Sequence, residues 1–426
     1  MVVISAATYR YGVFGPDQVA LARRRFPALD PEPPPRPWWW RVAVSAGALA
    51  VAAGVAAAIA FWPFSTRSAG PGTAARQPGL PAAIDRGRIV ALNAVGYLAL
   101  SDPDGTHVTR VSALGDAGQS VAAAPDDRYF SLGNGQLAVV RNGATLAAYP
   151  SKVPLSSQYA AAWPDSFADH DRDLVMLLDY GASSYSAQNP VTAFSLGTGS
   201  SSSLGTADSA AGDPQSVGAF VSVAAPATAS VTAAQISPDS RVELRDAGRP
   251  AVVLATAGAL NRALGQRPND PVQLVPYPDP QGDKVAVVVQ PVAGSPDGSG
   301  IVVLGRAGRV LAAAATPFGV QGIPAWSPSG AELVYASTGN TGAALFFWTL
   351  GRPPVARAVP PAATFSDSSD SYGWCVWSPD GRSVLCASTA GADQGNWVVA
   401  SSTAGITLAV RGPGLPLAWL PGRSST

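Results

Sequence analysis

The chain has 426 residues, with 28 basic and 28 acidic side chains, and only 13% of its residues are charged. A formal net charge of zero argues against nucleic-acid binding, which requires an excess of Lys and Arg to neutralise phosphates, and 47% hydrophobic residues exclude disorder along the whole length. At about 150 residues per domain this length indicates two or three domains, and 44 Gly and 39 Pro favour a turn-rich, all-β fold over a helical bundle.

An uncharged apolar run lies near the N-terminus. Residues 42–62 (VAVSAGALAVAAGVAAAIAFW) contain no charged side chain, and about 20 apolar residues are enough to cross the hydrocarbon core of a bilayer. Trp38, Trp39 and Trp40 precede the run and Trp62 ends it, where indole rings favour the headgroup region. The pattern predicts a transmembrane helix at 42–62, with a buried Ala-rich helix of a soluble domain as the alternative.

Charged residues around this run predict its orientation. The preceding 41 residues carry six arginines and three carboxylates, and basic residues stay on the cytoplasmic side of a membrane. We therefore expect a cytoplasmic tail at 1–41, one pass through the lipid bilayer of the cell membrane, and an extracytoplasmic C-terminal part. A cleaved signal peptide is the alternative, although its n-region would be unusually long. Residues 63–83, rich in Gly, Pro, Ala and Ser, predict a flexible linker.

A short pattern recurs from residue 84 onward: an apolar strand, a turn with Pro and Asp or Gly, and a second apolar strand. The two clearest copies are residues 325–337 (AWSPSGAELVYAS) and 376–388 (VWSPDGRSVLCAS). In such a turn Pro fixes φ, Asp forms local hydrogen bonds and Gly accepts the left-handed conformation. Because one such sheet cannot bury both of its faces alone, neighbouring copies must stack.

With the weaker copies included, the spacing of the turn prolines gives the length of the repeat. The turn prolines stand at positions 125, 164, 238, 278, 328 and 379, with intervals of 39, 74, 40, 50 and 51 residues. A four-stranded propeller blade takes about 40 to 50 residues, so the longest interval would hold two units. Variants of the pattern open the region at 96–111 and close it at 415–423. The sequence therefore predicts a β-propeller over 84–426 with about seven blades, six and eight being the alternatives.

These repeats resemble those of the TolB-type, WD40-like β-propeller family, whose units contain the core W-S-P-D-G-x-x-[LIV]. Residues 325–337 and 376–388 match this core well, whereas the other copies lack its Trp, Ser or Gly. The resemblance implies a propeller outside the membrane that is used for contacts with other proteins. TolB proteins proper are soluble periplasmic proteins, so the anchor predicted at 42–62 is a departure from the family.

The two cysteines, Cys375 and Cys386, flank the turn of the last clear repeat. They are expected opposite each other on adjacent antiparallel strands and on one face, where facing side chains come close. An oxidising compartment outside the membrane would preserve a disulfide between them. We predict this disulfide, with two buried free thiols as the alternative, and no zinc site, because no histidine lies near the pair.

Alternating carboxylates form the candidate metal site of the sequence. Asp169, Asp171 and Asp173 lie in the segment DHDRD, with Asp165 nearby, and Ca²⁺ prefers oxygen ligands of this kind. The glycine usual after such a run is replaced by Leu174, so a solvated hairpin loop is the alternative. We predict no cofactor, because the glycine-rich motifs that hold phosphates are absent from the sequence.

The remaining motifs favour binding over catalysis. The sequence has no G-x-S-x-G motif and only two histidines, which argues against a Ser-His-Asp hydrolase and a His-lined metal centre. A propeller presents variable loops at the ends of a rigid ring, an arrangement suited to recognition. We therefore predict a scaffold or sensor at the bacterial cell envelope that binds other envelope proteins and no nucleic acid. A propeller hydrolase or lyase that uses channel-rim carboxylates around residues 165–173 is the alternative.

Overall fold

The computed structural model describes most of residues 87–421, and the predicted tail, membrane helix and linker lie outside the described residues. Within the described part of the chain, no helix is long and apolar enough to span a membrane. The segments left out are 1–86, 94–95, 112–120, 124–128, 133–136, 142–144, 150–161, 169–173, 180–188, 196–197, 224–238, 271, 292–298, 317–318, 340–341, 359–371, 389–394, 404 and 422–426.

The described strands form seven four-stranded antiparallel sheets, which we call blades 1 to 7. Blade 1 consists of β28 (Leu415–Pro421), β1 (Gly87–Leu92), β2 (Leu98–Ser101) and β3 (Thr109–Arg110). Blade 2 consists of β4 (Val121–Ala123), β5 (Tyr129–Leu132), β6 (Leu137–Arg141) and β7 (Thr145–Tyr149), and blade 3 of β8 (Ala162–Ala168), β9 (Leu174–Asp179), β10 (Asn189–Ser195) and β11 (Ser201–Ala207). Blade 4 consists of β12 (Ser209–Gly212), β13 (Gly218–Val223), β14 (Arg241–Asp246) and β15 (Val252–Thr256), and blade 5 of β16 (Val272–Pro278), β17 (Lys284–Pro291), β18 (Ser299–Gly305) and β19 (Val310–Thr316). Blade 6 consists of β20 (Gln321–Trp326), β21 (Glu332–Gly339), β22 (Gly342–Thr349) and β23 (Val355–Ala358), and blade 7 of β24 (Tyr372–Trp377), β25 (Val384–Ser388), β26 (Gly395–Ser401) and β27 (Gly405–Gly412).

Blade 1 joins the two ends of the described chain. Its first strand is the C-terminal β28, which pairs with β1 so that Ile89 faces Trp419. The first strands of blades 7, 1, 2, 3, 4 and 5 contact one another in that order, and those of blades 6 and 7 are also in contact. One buried apolar cluster links blades 5 and 6. The sheets therefore close into a ring, which is the arrangement of a β-propeller and confirms the predicted all-β class.

Burial of both faces of each blade stabilises this ring, and β17 shows how. Val285, Val287 and Val289 belong to a buried cluster shared with blade 4. The alternate residues Ala286 and Val288 belong to a second cluster, shared with blade 6. Since side chains alternate between the faces of a strand, a continuous apolar run packs against both neighbouring blades.

Blades 4 to 7 share one turn between their first and second strands. The first residue of this turn donates its N–H to the carbonyl oxygen five residues further on, at 2.8 to 2.9 Å. These first residues are Asp213, Asp279, Ser327 and Ser378. In blades 5 to 7 the fourth residue is a glycine with φ between +66° and +71°, a conformation that side chains with a Cβ disfavour. The turn chemistry read from the W-S-P-D-G pattern is therefore the chemistry that the structure uses.

Three predicted copies of the repeat occupy other places. Pro164 lies inside strand β8, so it does not belong to a turn. Pro238 lies outside the described residues, in the sequence between β13 and β14, the second and third strands of blade 4. Residues 102–105 lie between β2 and β3 in blade 1. The turn of blade 4 begins instead at Asp213, a copy that the sequence pattern missed because it has neither Trp nor Gly.

The one helix of the described residues, α1 (Ala257–Ala263), connects blades 4 and 5. The Thr256 hydroxyl oxygen caps it by accepting the N–H of Ala259 at 3.3 Å. Leu260 joins the apolar cluster between the two blades. This short helix, which the sequence pattern did not predict, covers part of that interface.

Candidate functional site

The carboxylates predicted to bind a metal, Asp169, Asp171 and Asp173, lie outside the described residues. Strand β8 ends at Ala168 and β9 begins at Leu174, so the described residues stop on either side of this segment. Among the described residues, no group of three or more His, Cys, Asp or Glu side chains could hold a metal ion. The metal site therefore stays a prediction.

The two cysteines face each other across blade 7. Cys375 on β24 is the direct register partner of Cys386 on β25, and the structure joins their sulfur atoms in a disulfide with Cα atoms 4.1 Å apart. Cys386 belongs to the apolar cluster between blades 6 and 7, and Cys375 packs against it. The bond thus links the first two strands of the blade at an interface between blades.

The shared turns of blades 4 to 7 contact one another along one end of the sheets, which we call the turn end. Trp326 Nε1 donates to Tyr277 O and Trp377 Nε1 donates to Ala325 O, both at 2.9 Å, so each tryptophan reaches the preceding blade. The turn glycines lie against the preceding turn as well. A Cβ on Gly330 would collide with Asp279 Oδ2. The turn end is therefore packed by the repeat residues themselves.

A buried ion pair completes the turn end between blades 4 and 5. Asp213 has no exposed surface, and Arg306 donates Nη1 to its Oδ1 at 2.8 Å and Nη2 to its Oδ2. Ser216 Oγ donates to the same carboxylate at 2.6 Å. The hydrogen bonds to Asp213 raise the pKa of Arg306, although burial opposes them. Because these charges satisfy one another, this part of the turn end is structural.

A cleft of about 410 Å³ lies between the outer strand of blade 3, β11, and the third strand of blade 4, β14. Glu243 lies at the base of the cleft with 3% of its side chain exposed. Arg241 Nε donates to one of its carboxylate oxygens, and Arg245 Nε donates to the other at 2.8 Å. The residues lining the cleft are Ser203, Leu204, Gly205, Thr206, Arg241, Glu243, Arg245, Asp246, Gly248, Arg249 and Ala251.

The charge state of Glu243 follows from these contacts. Burial alone would raise the pKa of its carboxyl group, but the hydrogen bonds and charges of Arg241 and Arg245 outweigh burial and lower that pKa. Glu243 is therefore ionised at neutral pH. An ionised, nearly buried carboxylate that orients two guanidinium groups in a cleft is the kind of arrangement found at binding sites.

The three arginines of the cleft differ in how many of their donors are used. Arg245 Nη1 donates to Leu204 O at 3.0 Å and to Thr206 O at 2.7 Å, which ties blade 4 to the edge of blade 3. Arg241 and Arg249 are 42% and 76% exposed. Among the described residues, Arg249 Nη1 has one long contact, to Asp246 Oδ2 at 3.5 Å. Arg241 and Arg249 therefore keep exposed cationic groups among the residues that line the cleft.

Exposed apolar side chains gather on the outer strands of blades 4 and 5, and we call this surface the outer-strand patch. Val252 and Val253 begin β15 with 51% and 52% exposed, and Val310 and Leu311 begin β19 with 42% and 43% exposed. The turn before β19 lies against β15, because a Cβ on Gly308 in that turn would lie 2.5 Å from Leu254 O.

No protein-family model matches the chain, and a search of curated proteins gave no match. Among solved structures, the chain is similar to TolB from Acinetobacter baumannii, with 14% identity over 81% of this chain and 69% of TolB, at a TM-score of 0.40. It is similar to a putative 6-phosphogluconolactonase from Bacteroides uniformis (11% identity, 79% and 99% covered, TM-score 0.45) and to the β-propeller domain of Cps50 (Swd1) from Myceliophteria thermophila (11%, 69% and 86%, 0.40). At these values the similarities identify no family, and the propeller assignment rests on the strand order.

The cleft was not predicted from the sequence, although a signal for it exists. Residues 241–245 read RVELR, and the alternation of a strand places Arg241, Glu243 and Arg245 on one face. Charged side chains at alternate positions usually indicate a solvated face. Only the position of β11 beside them shows that this face is covered by a neighbouring blade.

Proposed function

We propose that the chain is a membrane-anchored, extracytoplasmic β-propeller that binds another protein of the cell envelope. The outer-strand patch carries this proposal. Within the described residues six large apolar side chains are exposed, and four of them form this patch. Apolar side chains gathered on one exposed surface indicate a contact with another protein.

The surroundings of the patch define the chemistry of its partner. Arg309 is exposed immediately before Val310, and it adds a positive charge beside the patch. A partner with an apolar centre and acidic residues at its border would complement this surface, since interfaces combine an apolar core with a polar rim of matching charge. The patch therefore fits a folded protein or a peptide of this composition.

Two observations support a location outside the cytoplasm. The disulfide between Cys375 and Cys386 fits an oxidising compartment, because reducing systems in the cytoplasm oppose such bonds. The uncharged run at 42–62 has the length of a membrane helix, and the excess of arginine before it favours a cytoplasmic N-terminus.

Site-specific photo-crosslinking in intact cells tests the binding surface. A photoreactive amino acid replaces Val253 or Leu311 in the patch, and Val108, which is 50% exposed on blade 1, serves as the matched control. We expect positions 253 and 311 to crosslink to the same protein and position 108 to give no such product. Absence of a product at both patch positions, or the same product at position 108, would refute the proposal.

Protease treatment tests the orientation separately. Protease added to intact spheroplasts should digest residues 84–426, and the chain should remain in the membrane fraction after alkaline extraction. Protection of the propeller in intact spheroplasts would overturn the orientation, and release by alkaline extraction would overturn the anchor. Either result leaves the crosslinking experiment interpretable.

A further inference from the structure

The cleft between blades 3 and 4 is built around an ion triad of Glu243, Arg241 and Arg245. Glu243 is nearly buried between Arg241 and Arg245. Removing charges from water costs free energy that their attraction only partly returns, so such groups often contribute little net stability. The triad also fixes the guanidinium groups of Arg241 and Arg245 beside the cleft that the two blades leave open.

The side-chain N–H donors of the cleft that do not bind Glu243 belong to positively charged guanidinium groups. Arg241 uses Nε for Glu243, and within the described part of the chain its two Nη groups make no hydrogen bond. Arg249 is largely exposed and has one long contact to Asp246. A guanidinium group presents paired N–H donors whose geometry matches a carboxylate. Three arginines against two carboxylates also leave the cleft with a net positive charge.

Glycine keeps the opening free. Gly248 has φ +74°, and a Cβ built there would meet nothing within 4 Å. Gly205 has φ +85° and lies against Arg245, where a Cβ would stand 3.0 Å from Nη1. These two positions on opposite walls leave room for a ligand to approach the arginines.

The remaining wall of the cleft is polar. Ser203 and Thr206 supply hydroxyl groups, and Leu204 and Ala251 are the apolar residues among those that line the cleft. None of the described residues that line the cleft is aromatic, so an apolar anchor of a peptide finds little to pack against. A ligand rich in hydroxyl groups keeps its hydrogen bonds in such surroundings.

We propose that this cleft binds a carboxylate-bearing sugar, a uronic acid, with the exposed guanidinium group of Arg241 or of Arg249 holding the carboxylate and Ser203 and Thr206 contacting ring hydroxyls. The ligand is either a free sugar acid or one unit of an acidic polysaccharide, which share this chemistry. The site is distinct from the outer-strand patch and does not depend on protein binding there.

Calorimetric titration of the full chain tests the site with three probes: glucuronate, an oligogalacturonate and uncharged glucose. We expect both acids to bind and glucose not to bind, and Arg241→Gln or Arg249→Gln to weaken binding by about ten- to hundredfold, the loss of a charged hydrogen bond. The matched control is Arg352→Gln, an exposed arginine in the turn between β22 and β23, outside the cleft and the outer-strand patch, which should leave the affinity unchanged. Both cleft arginines are partly exposed, and circular dichroism checks that the variants fold.

The outcomes separate the sources of the ligand. Tighter binding of the oligomer, per sugar unit, indicates a polysaccharide, and equal binding indicates a free acid. Binding should also weaken as salt is added, because the attraction is electrostatic. Failure of both acids to bind, or equal binding by glucose, would overturn the proposal, as would an affinity that Arg241→Gln and Arg249→Gln do not change.

Discussion

The turn glycines pack against the preceding blade, so replacing one of them by alanine should lower the stability of the fold. A glycine of similar φ that makes no such contact should tolerate alanine better. Gly330 has φ +67° in the shared turn of blade 6, and Gly351 has φ +83° in the turn between β22 and β23. The left-handed conformation costs an alanine about 1 to 2 kcal/mol at either position. At Gly351 a Cβ meets nothing within 4 Å, so Gly351→Ala should cost no more than this.

Gly330→Ala should cost more because its Cβ would collide with Asp279 Oδ2. Asp279 has no exposed surface and pairs with Lys284 Nζ at 2.9 Å, and disturbing one partner of a buried ion pair costs up to about 3 to 5 kcal/mol. We therefore expect a total loss of about 3 kcal/mol or more for Gly330→Ala, the sum of part of this cost and the backbone term.

Equilibrium unfolding in urea, followed by tryptophan fluorescence, measures both variants against the wild type. The difference between the two variants isolates the contact between blades, because the backbone term is common to both. Equal losses for Gly330→Ala and Gly351→Ala would refute docking of the turn on blade 5. A normal circular dichroism spectrum is required of each variant before the comparison.

Three further predictions concern charges and the disulfide. Asp213→Asn should lower the free energy of unfolding in urea by about 3 to 5 kcal/mol, because Arg306 loses its buried partner. As the control, Arg309→Gln at an exposed position should change this free energy by no more than about 0.5 kcal/mol. Similar losses in the two variants would contradict the ion pair. The pKa of Glu243 is lowered from its ordinary 4.5, so its ionised form contributes stability that is present above pH 4.5 and lost as the pH falls through the lower folded value. The difference in unfolding free energy between the wild type and Glu243→Gln should therefore shrink as the pH falls below this range, and a constant difference would contradict the triad. The double variant Cys375→Ser and Cys386→Ser should lose about 2 to 3 kcal/mol, and the unreduced wild type should take up no thiol reagent; labelling of either cysteine without reductant would contradict the bond.

The sequence predicted the structure correctly where a residue acts through its own backbone conformation, as Pro and Gly do in turns. Pro and Gly in a turn act through their own φ angles, so residues 327–330 and 378–381 identified the hairpins of blades 6 and 7. The alternation of apolar residues indicated the all-β class for the same reason, because it is a property of each strand alone. About seven blades followed from the spacing of these signals, even though Pro164 lies inside β8, Pro238 stands in the sequence between β13 and β14, and Pro278 ends β16 just before the shared turn.

Blade 4 shows where local reasoning stops. Its turn has Asp213 in the place of Ser and Ser216 in the place of Gly, so the pattern is lost while the hydrogen bond from Asp213 N to Gly218 O remains at 2.9 Å. What replaces the pattern is a contact from a distant part of the chain, Arg306, 93 residues away. No short window of sequence contains that partner.

The same distinction explains why the cleft and the outer-strand patch could not be predicted. Whether Arg245 is solvated or tied to Leu204 O depends on how blade 3 packs against blade 4, and the two residues are 41 positions apart. The exposure of Val253 likewise depends on the fact that β15 is the last strand of its sheet. In a ring of repeats, the residues of one blade determine its own hairpins. A surface between two blades depends on residues of both, which lie far apart in the sequence. The cleft and the outer-strand patch both lie at such junctions between blades. Substitutions that change the contacts at a junction while each blade still folds are therefore the ones that test function.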